Sequence, residues 1–119
     1  MSKYYLLILS IVSIITLTNC QQKPSAPEWL LPDEKMQNVL IDLYTEEAII
    51  IDQRLPHNES TKKFLEARAK VFQKHQVDST LYQNTYNYYL TNDQDKLSQI
   101  YKVVVDTLLK RKDLANTFR

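Results

Sequence analysis

The chain has 119 residues, one cysteine, no glycine and a net charge of +1 at pH 7. This length suits a single domain with a modest core, and the balanced charge lacks the basic footprint of a nucleic-acid-binding protein. The absence of glycine disfavours tight primed hairpins, glycine-rich phosphate loops and dinucleotide fingerprints, because each needs a residue that can take positive φ or let backbone approach a ligand closely.

The first twenty residues have the organisation of a bacterial lipoprotein signal. Lys3 supplies a positive charge, and residues 4–17 contain no charged side chain. As a helix this run would span only about 21 Å, which is shorter than a hydrocarbon core of roughly 30 Å. It ends in Leu17-Thr18-Asn19-Cys20, which resembles the lipobox, where the cysteine thiol is alkylated by diacylglycerol and the preceding bond is cut. We therefore predict that residues 1–19 are a cleaved signal peptide and that Cys20 is lipidated.

Two observations bear on this prediction. Cys20 is the only cysteine, so it stands at the one place where lipidation needs a thiol, and no internal disulfide is possible. Several acyl chains on one residue would hold the protein durably, since each buried methylene contributes roughly 0.8 kcal/mol. The alternative is an ordinary cleaved signal peptide followed by an incidental cysteine.

After Cys20 the sequence indicates a tether that ends at residue 31. Pro24 and Pro27 favour extended backbone, and eleven residues at about 3.1 Å each would reach roughly 34 Å. We expect Trp29, Leu30 and Leu31 to dock onto the folded domain, with an interfacial tryptophan at the bilayer as the alternative. The predicted organisation is therefore a signal at 1–19, the lipidated cysteine and tether at 20–31, and a helical domain at 32–119.

The next two segments show helical periodicity. The first helix is predicted from Pro32 to about Arg54, with acidic residues in its first turn. Its apolar positions recur every three or four residues: Met36, Val39, Leu40, Leu43, Tyr44, Ala48, Ile50 and Ile51. The break at residues 55–58 ends it, and Ser60 or Asn58 is expected to cap a second helix.

Two further helices complete the predicted fold. Asp78 can cap a third, short helix that ends near Leu90, with Val77 packing onto Tyr82. The fourth is expected to follow a turn at residues 91–93 and to end at about Lys112, with the cations at 110–112 in its last turn. These lengths predict an all-α fold, a compact antiparallel bundle of three long helices and one short.

The second half of the chain carries a family resemblance. Its residues are Lys74-His75-Gln76-Val77-Asp78, Leu81-Tyr82, Thr85-Tyr86, Tyr88-Tyr89-Leu90-Thr91-Asn92, Leu97, Ile100-Tyr101 and Val104, joined in the first helix by Asp42-Leu43 and Glu47-Ala48. Together they resemble a small lipoprotein family of Bacteroidota that is labelled a domain of unknown function. Here Asn19 replaces the family's usual small residue before the cysteine, and Asn92-Asp93 replaces its common Asn-Pro. The resemblance spans most of residues 32–109 and implies an envelope lipoprotein with no known activity.

Tyrosines form the first group of candidate functional residues. Tyr82, Tyr86 and Tyr89 share one helix face, and Tyr88 lies on the adjoining face. Burial in the core, with the hydroxyls satisfied at its rim, is the favoured interpretation. The alternative is an aromatic surface that binds sugar or peptide.

Acidic residues form the second group. Asp42 and Glu46 are four residues apart with Glu47 beside them, so like charges repel on one helix. The plainest interpretation is a solvated face. Otherwise a cross-helix Arg68 or Lys70 is the expected counterion, followed by a basic surface on a partner protein and then by a metal ion.

Nothing in the sequence indicates catalysis. His57 and His75 have different settings, and His75 is expected to interact with the C-terminal carbonyls of its own helix. No glycine-flanked serine or zinc-binding histidine pair is present. We therefore expect a non-enzymatic protein with no cofactor and no metal.

The expected function is that of an accessory or adaptor lipoprotein that docks onto a larger outer-membrane or periplasmic assembly. Gln21 and Gln22 lack the aspartate that resembles an inner-membrane retention signal, and the tether lacks the acidic cluster that resembles a surface-export signal. Both features favour the periplasmic face of the outer membrane. The alternative function is a periplasmic module that holds glycan or peptide on the tyrosine-rich helix.

Overall fold

A computed structural model describes residue 4 and residues 25–118. Within 25–118 the chain forms four helices and no strand: α1 (Asp33–Asp52), α2 (His57–His75), α3 (Ser79–Asn92) and α4 (Gln94–Thr117). Their lengths of 20, 19, 14 and 24 residues confirm the predicted all-α fold of three long helices and one short. Apart from Tyr4, the predicted signal peptide lies outside the described residues, as does Cys20. None of the described helices is long and apolar enough to cross a membrane.

Helix α1 is the central element of the bundle. It packs against α2 on one side and against α4 on another, and its Met36 and Val39 side chains are 0% exposed. Pro32 precedes it, and the Pro32 carbonyl accepts the first helical hydrogen bond from the Met36 N–H at 3.0 Å. The start of the predicted apolar stripe therefore forms the core of the domain. Further along the helix Ile50 is buried, but Tyr44, Ala48 and Ile51 are exposed, so the prediction is wrong for these three residues.

The start of α2 differs from the prediction. The helix begins at His57 directly after Pro56, whose carbonyl accepts a hydrogen bond from the Ser60 N–H at 2.9 Å. The Ser60 hydroxyl donates to the His57 carbonyl at 2.9 Å, so it bonds within the first turn. The expectation that Ser60 or Asn58 caps this helix is therefore wrong, because Pro56, whose φ of −54° suits the start of a helix, occupies the capping position instead.

A left-handed residue turns the chain from α2 into α3. Gln76 has φ 53°, and the Val77 N–H donates to the Phe72 carbonyl at 2.9 Å, which is the hydrogen-bond pattern of a Schellman motif. The reversal carries Val77 into the core. Asp78 then accepts from the backbone N–H groups of residues 80 and 81 at 2.9 and 3.0 Å. The predicted cap at Asp78 is confirmed, and Val77 lies in the same core cluster as Tyr82, onto which it was predicted to pack.

Helices α3 and α4 are separated by Asp93 alone. The Asp93 carboxylate accepts from the Lys96 N–H at 3.2 Å and so caps α4. Helix α3 ends at Asn92 rather than near Leu90, and α4 continues to Thr117 rather than to Lys112. The cations at 110–112 consequently lie inside α4 and not in its last turn, which has no basic residue.

The helix directions are only partly antiparallel. Side-chain contacts from Asp42 to Lys74 and from Gln53 to Lys63 show that α1 and α2 run in opposite directions. Helix α4, however, begins beside the start of α1, where Lys96 pairs with Asp33 at 2.9 Å, and runs in the same general direction as α1. The physical reason is that α3 ends beside Asp33, to which the Tyr89 hydroxyl donates at 3.3 Å, so α4 starts there.

The segment before α1 is anchored by a buried hydroxyl. The Leu31 N–H donates to the Thr85 Oγ1 at 3.1 Å, and Thr85 is 0% exposed. Leu31 and Leu30 pack against the core, while the half-exposed Trp29 ring meets the edge of Tyr88 with the ring centres 6.0 Å apart. The end of the predicted tether therefore docks onto the domain as expected.

Replacing Thr85 by valine keeps the side-chain shape but leaves the buried Leu31 N–H without an acceptor. We expect Thr85→Val to lower the free energy of unfolding by about 1–3 kcal/mol, measured by urea denaturation followed by circular dichroism. Thr91→Val, at an exposed position of the same helix, is the matched control and should change it by less than about 0.5 kcal/mol. Equal effects at the two positions would contradict this role of the Thr85 hydroxyl.

Candidate functional site

Asp42 forms an ionic cluster where three helices meet. Its Oδ2 atom accepts a hydrogen bond from the Lys74 ammonium at 2.7 Å and lies 2.8 Å from His75 Nε2. Its Oδ1 atom lies 4.0 Å from the Arg111 guanidinium of α4. The expected counterions Arg68 and Lys70 are therefore not the partners of Asp42. Residues at the end of α2 reach it because α2 returns antiparallel along α1.

The electrostatics of this cluster favour the ionised form of Asp42. Its side chain is only 18% exposed, and this burial opposes ionisation. The hydrogen bonds and positive charges of Lys74 and His75 outweigh the burial, so the pKa of the Asp42 carboxyl lies below its ordinary value. The contacts made by Asp42 hold α2 and α4 against α1.

Of the other two acidic residues, Glu46 shares a surface with Asp42, whereas Glu47 does not. Glu46 lines an open groove of about 600 Å³ between α1 and α2, together with Lys63, Lys70 and Lys74. Glu47 faces the opposite side of α1, where it lines a second groove. The candidate partner surface of Asp42, Glu46 and Glu47 is thus divided, because residues one apart on a helix point about 100° apart.

The two histidines lie apart, as expected, but His75 does not act as predicted. His57 is exposed at the start of α2, whereas the half-buried His75 contacts the Asp42 carboxylate. The prediction that His75 interacts with the C-terminal carbonyls of its own helix is therefore wrong, because His75 contacts α1 instead. No group of three or more His, Cys, Asp or Glu side chains that could hold a metal occurs among the described residues.

The tyrosines of α3 are mainly core residues. Tyr82 and Tyr89 are buried, and Tyr86 and Tyr88 pack against the core while remaining partly exposed. Burial raises the pKa of Tyr82 to about 12. Burial, followed by the charge and hydrogen bond of Asp33, raises the pKa of Tyr89 to about 12 as well. These hydroxyls stay protonated at neutral pH, so they can donate and accept hydrogen bonds but do not carry a charge.

The second groove joins tyrosines from three helices, and we call it the tyrosine groove. It has a volume of about 250 Å³. Its lining residues are Leu40, Leu43, Tyr44, Glu47, Phe64, Arg68, Tyr82, Gln83, Tyr86 and Tyr101. Of the four candidate ligand residues, the structure therefore places Tyr82 and Tyr86 in a concave site. Tyr88 lies outside it against Trp29, and Tyr89 lies outside it against Asp33.

Two lining tyrosines were missed as site residues from the sequence. The Tyr44 hydroxyl lies 3.4 Å from the Tyr101 hydroxyl, and the two ring centres are 6.3 Å apart. Burial, together with hydrogen bonds to Tyr44 and Tyr86, raises the pKa of Tyr101 above its ordinary value. Tyr44 falls on the predicted apolar stripe of the first helix, and for this reason its position indicated only core packing.

The end of α4 has a different character. Every residue from 109 to 118 is exposed, although the helix continues to Thr117. Leu114 is 53% exposed and Phe118 is 86% exposed. Within the described part of the chain, this end of α4 extends past the packed core.

Replacing Asp42 by asparagine removes the charge that pairs with Lys74 and His75. We expect Asp42→Asn to lower the free energy of unfolding at pH 7 by about 1.5–3 kcal/mol, the range for hydrogen bonds to charged groups. Asp106→Asn is the matched control, because Asp106 is exposed and forms no ion pair within residues 25–118. Urea denaturation of the three proteins measures the difference.

The same pair of variants predicts a pH dependence. The folded-state pKa of Asp42 is depressed, so its contribution is complete above the unfolded-state value of about 3.9 and is lost as the pH falls through the lower folded-state pKa. The difference in the free energy of unfolding between the parent protein and Asp42→Asn should therefore decrease as the pH falls from 5 to 2. Its pH dependence should correspond to the binding of about one proton. A gap that stays constant over this range would rule out the ionic role.

Comparison with known proteins identifies a family and no function. No curated protein and no solved structure matches the chain. A family model described as a domain of unknown function (DUF4296) matches residues 27–114. This match covers the four helices almost entirely and also the docked segment that precedes α1. The chain therefore belongs to the DUF4296 family.

Proposed function

We propose that this protein is a non-enzymatic lipoprotein of the cell envelope that acts as an adaptor. In this proposal residues 1–19 are removed, Cys20 carries the lipid, and the helical domain faces the periplasm from the outer membrane. The lipobox-like sequence before Cys20 supports the anchor, and the absence of glycine and of a second cysteine argues against the common nucleophilic and nucleotide-binding sites.

The observation that carries the adaptor role is the exposed end of α4. Leu114 lies three residues after Arg111 on the same face of α4, and Phe118 directly follows the last helical residue. Leaving two large apolar side chains in water forgoes the free energy that burial would contribute. A helix that is already formed and presents an apolar face can dock into a groove of a partner protein.

The position of this segment relative to the anchor also supports the role. The chain enters the domain beside α3 and the start of α4, where Thr85 holds Leu31 and Lys96 pairs with Asp33. From Lys96 to Phe118 the helix rises about 33 Å at about 1.5 Å per residue. In the proposed arrangement the lipid lies near one end of α4, and the partner binds at the other.

The positive charge beside this face indicates the chemistry of the partner surface. Lys110 is exposed and lies four residues before Leu114, so the two adjoin on the helix surface. A complementary surface would therefore be an apolar groove with an acidic rim, since opposite charges guide the encounter and fix its register.

Photo-crosslinking tests the adaptor role in living cells. With benzoylphenylalanine in place of Leu114, we expect one discrete crosslinked product on irradiation, since this position is buried by the partner. The matched control is the same replacement at Val105, which is 49% exposed, against 53% for Leu114, and lies on another face of α4. Adding Lys110→Glu should reduce the product, because it sets an acidic group against the acidic rim of the partner. Equal crosslinking at 105 and 114, or none at 114, would refute the proposed surface.

Removal of the thiol tests the anchor separately. A Cys20→Ser chain cannot be lipidated, so it should move from the membrane fraction to the aqueous fraction after cell disruption, because the acyl chains supply the membrane affinity. The mass of the mature parent protein should exceed that of its polypeptide by the attached lipid. An unmodified Cys20 in protein from the native cells would contradict the proposed compartment.

A further inference from the structure

We propose that the tyrosine groove binds a small zwitterion, namely a short peptide that has an apolar or aromatic side chain and free amino and carboxyl ends. This site goes beyond the adaptor role and lies away from the exposed end of α4. Its ligand chemistry follows from its walls, its size and two charges that form no ion pair among residues 25–118.

The walls of the groove are aromatic and apolar. Tyr44 and Tyr101 meet edge to face with ring centres 6.3 Å apart, and Tyr82 and Tyr86 are stacked with ring centres 6.4 Å apart. Leu43 and Phe64 add aliphatic and aromatic surface. Such a concave surface favours an apolar side chain, whose burial contributes roughly 25 cal/mol per Å².

Two opposite charges border the groove without pairing. Glu47 and Arg68 both line it, and neither forms an ion pair within 4.0 Å among residues 25–118, although Asp33 and Asp42 on the same helix α1 do. Arg68 is half-buried and lies over the Phe72 ring at 5.2 Å. A partly desolvated guanidinium binds a carboxylate favourably, because part of its hydration is already lost.

Glu47 provides the complementary half of the site. Its exposed carboxylate can accept hydrogen bonds from an ammonium group while Arg68 donates to a carboxylate. A ligand with both groups would neutralise both charges at once. A neutral sugar would leave both without a counterion, and an anion alone would leave Glu47 unpaired.

Hydroxyl groups and volume narrow the ligand class further. The Tyr44 to Tyr101 contact at 3.4 Å is long for an O–H···O hydrogen bond, whose usual length is about 2.7–2.8 Å, so the Tyr44 hydroxyl can turn to a ligand at little cost. The volume of about 250 Å³ lies just below the range of roughly 300–1,000 Å³ for drug-sized ligands. The groove therefore suits one or two residues.

Calorimetric titration of the detergent-solubilised full chain with the dipeptide alanylphenylalanine tests this inference. We expect saturable binding that weakens about tenfold or more when the dipeptide is acetylated and amidated, because both ligand charges are lost. Glu47→Gln should weaken binding of the free dipeptide to a similar extent. Glu46→Gln, which alters the neighbouring residue in the other groove, is the matched control and should leave the affinity within about twofold, as expected for an uninvolved charge.

Further variants separate the site from folding and from the adaptor role. Arg68→Gln should weaken binding of the free dipeptide but should not weaken binding of the amidated dipeptide. If that variant unfolds, Glu47→Gln and the blocked dipeptide still decide the result, since Glu47 is exposed. Tyr88→Phe, outside the groove, should have no effect. Absence of saturable binding at millimolar dipeptide, equal affinity for the blocked dipeptide, or preference for a neutral disaccharide would overturn the proposal. None of these results depends on crosslinking at residue 114.

Discussion

The structure depends on the burial of α1 between α2 and α4. An amphipathic surface helix buries one stripe, yet α1 buries Met36 and Val39 completely and Ile41 on a further face. A helix enclosed in this way must also bury part of its polar surface. Asp42 is that polar residue, and it is compensated by Lys74 and His75 from α2 and by the nearby Arg111 of α4. The ionic cluster therefore follows from the central position of α1.

The tyrosines have two roles in this scaffold. Tyr82 and Tyr89 fill the core and keep protonated hydroxyls because burial disfavours the phenolate. Tyr44, Tyr86 and Tyr101 instead line the rim of the core, where their hydroxyl groups meet at the tyrosine groove. The same aromatic composition thus stabilises the bundle and forms the walls of the tyrosine groove. Catalysis is not required to account for these perturbed pKa values, since desolvation is the largest cause of each.

The two proposals use opposite properties of the fold. The adaptor role relies on the part of α4 that extends beyond the core, where apolar side chains have no partner within the described residues. The peptide site relies on the tyrosine groove, where Glu47 and Arg68 form no ion pair among residues 25–118. Since α1 and α4 run in the same general direction, the entry of the chain and the end of α4 lie far apart. This geometry lets the domain be anchored at one end while it makes contacts elsewhere.

Residue periodicity and capping chemistry in the sequence determined the four helices and the cap at Asp78, because these depend on neighbours within a few residues. Only the tertiary structure decided which helices meet. The packing of the helices in turn determined the contacts of Asp42, the separation of Glu46 from Glu47, and the tyrosine groove. Tyr44 and Tyr101 are 57 residues apart, and no local pattern encodes their meeting. Local hydrogen bonds and periodicity act over a few residues, whereas helix direction and long-range pairing result from packing the whole core at once.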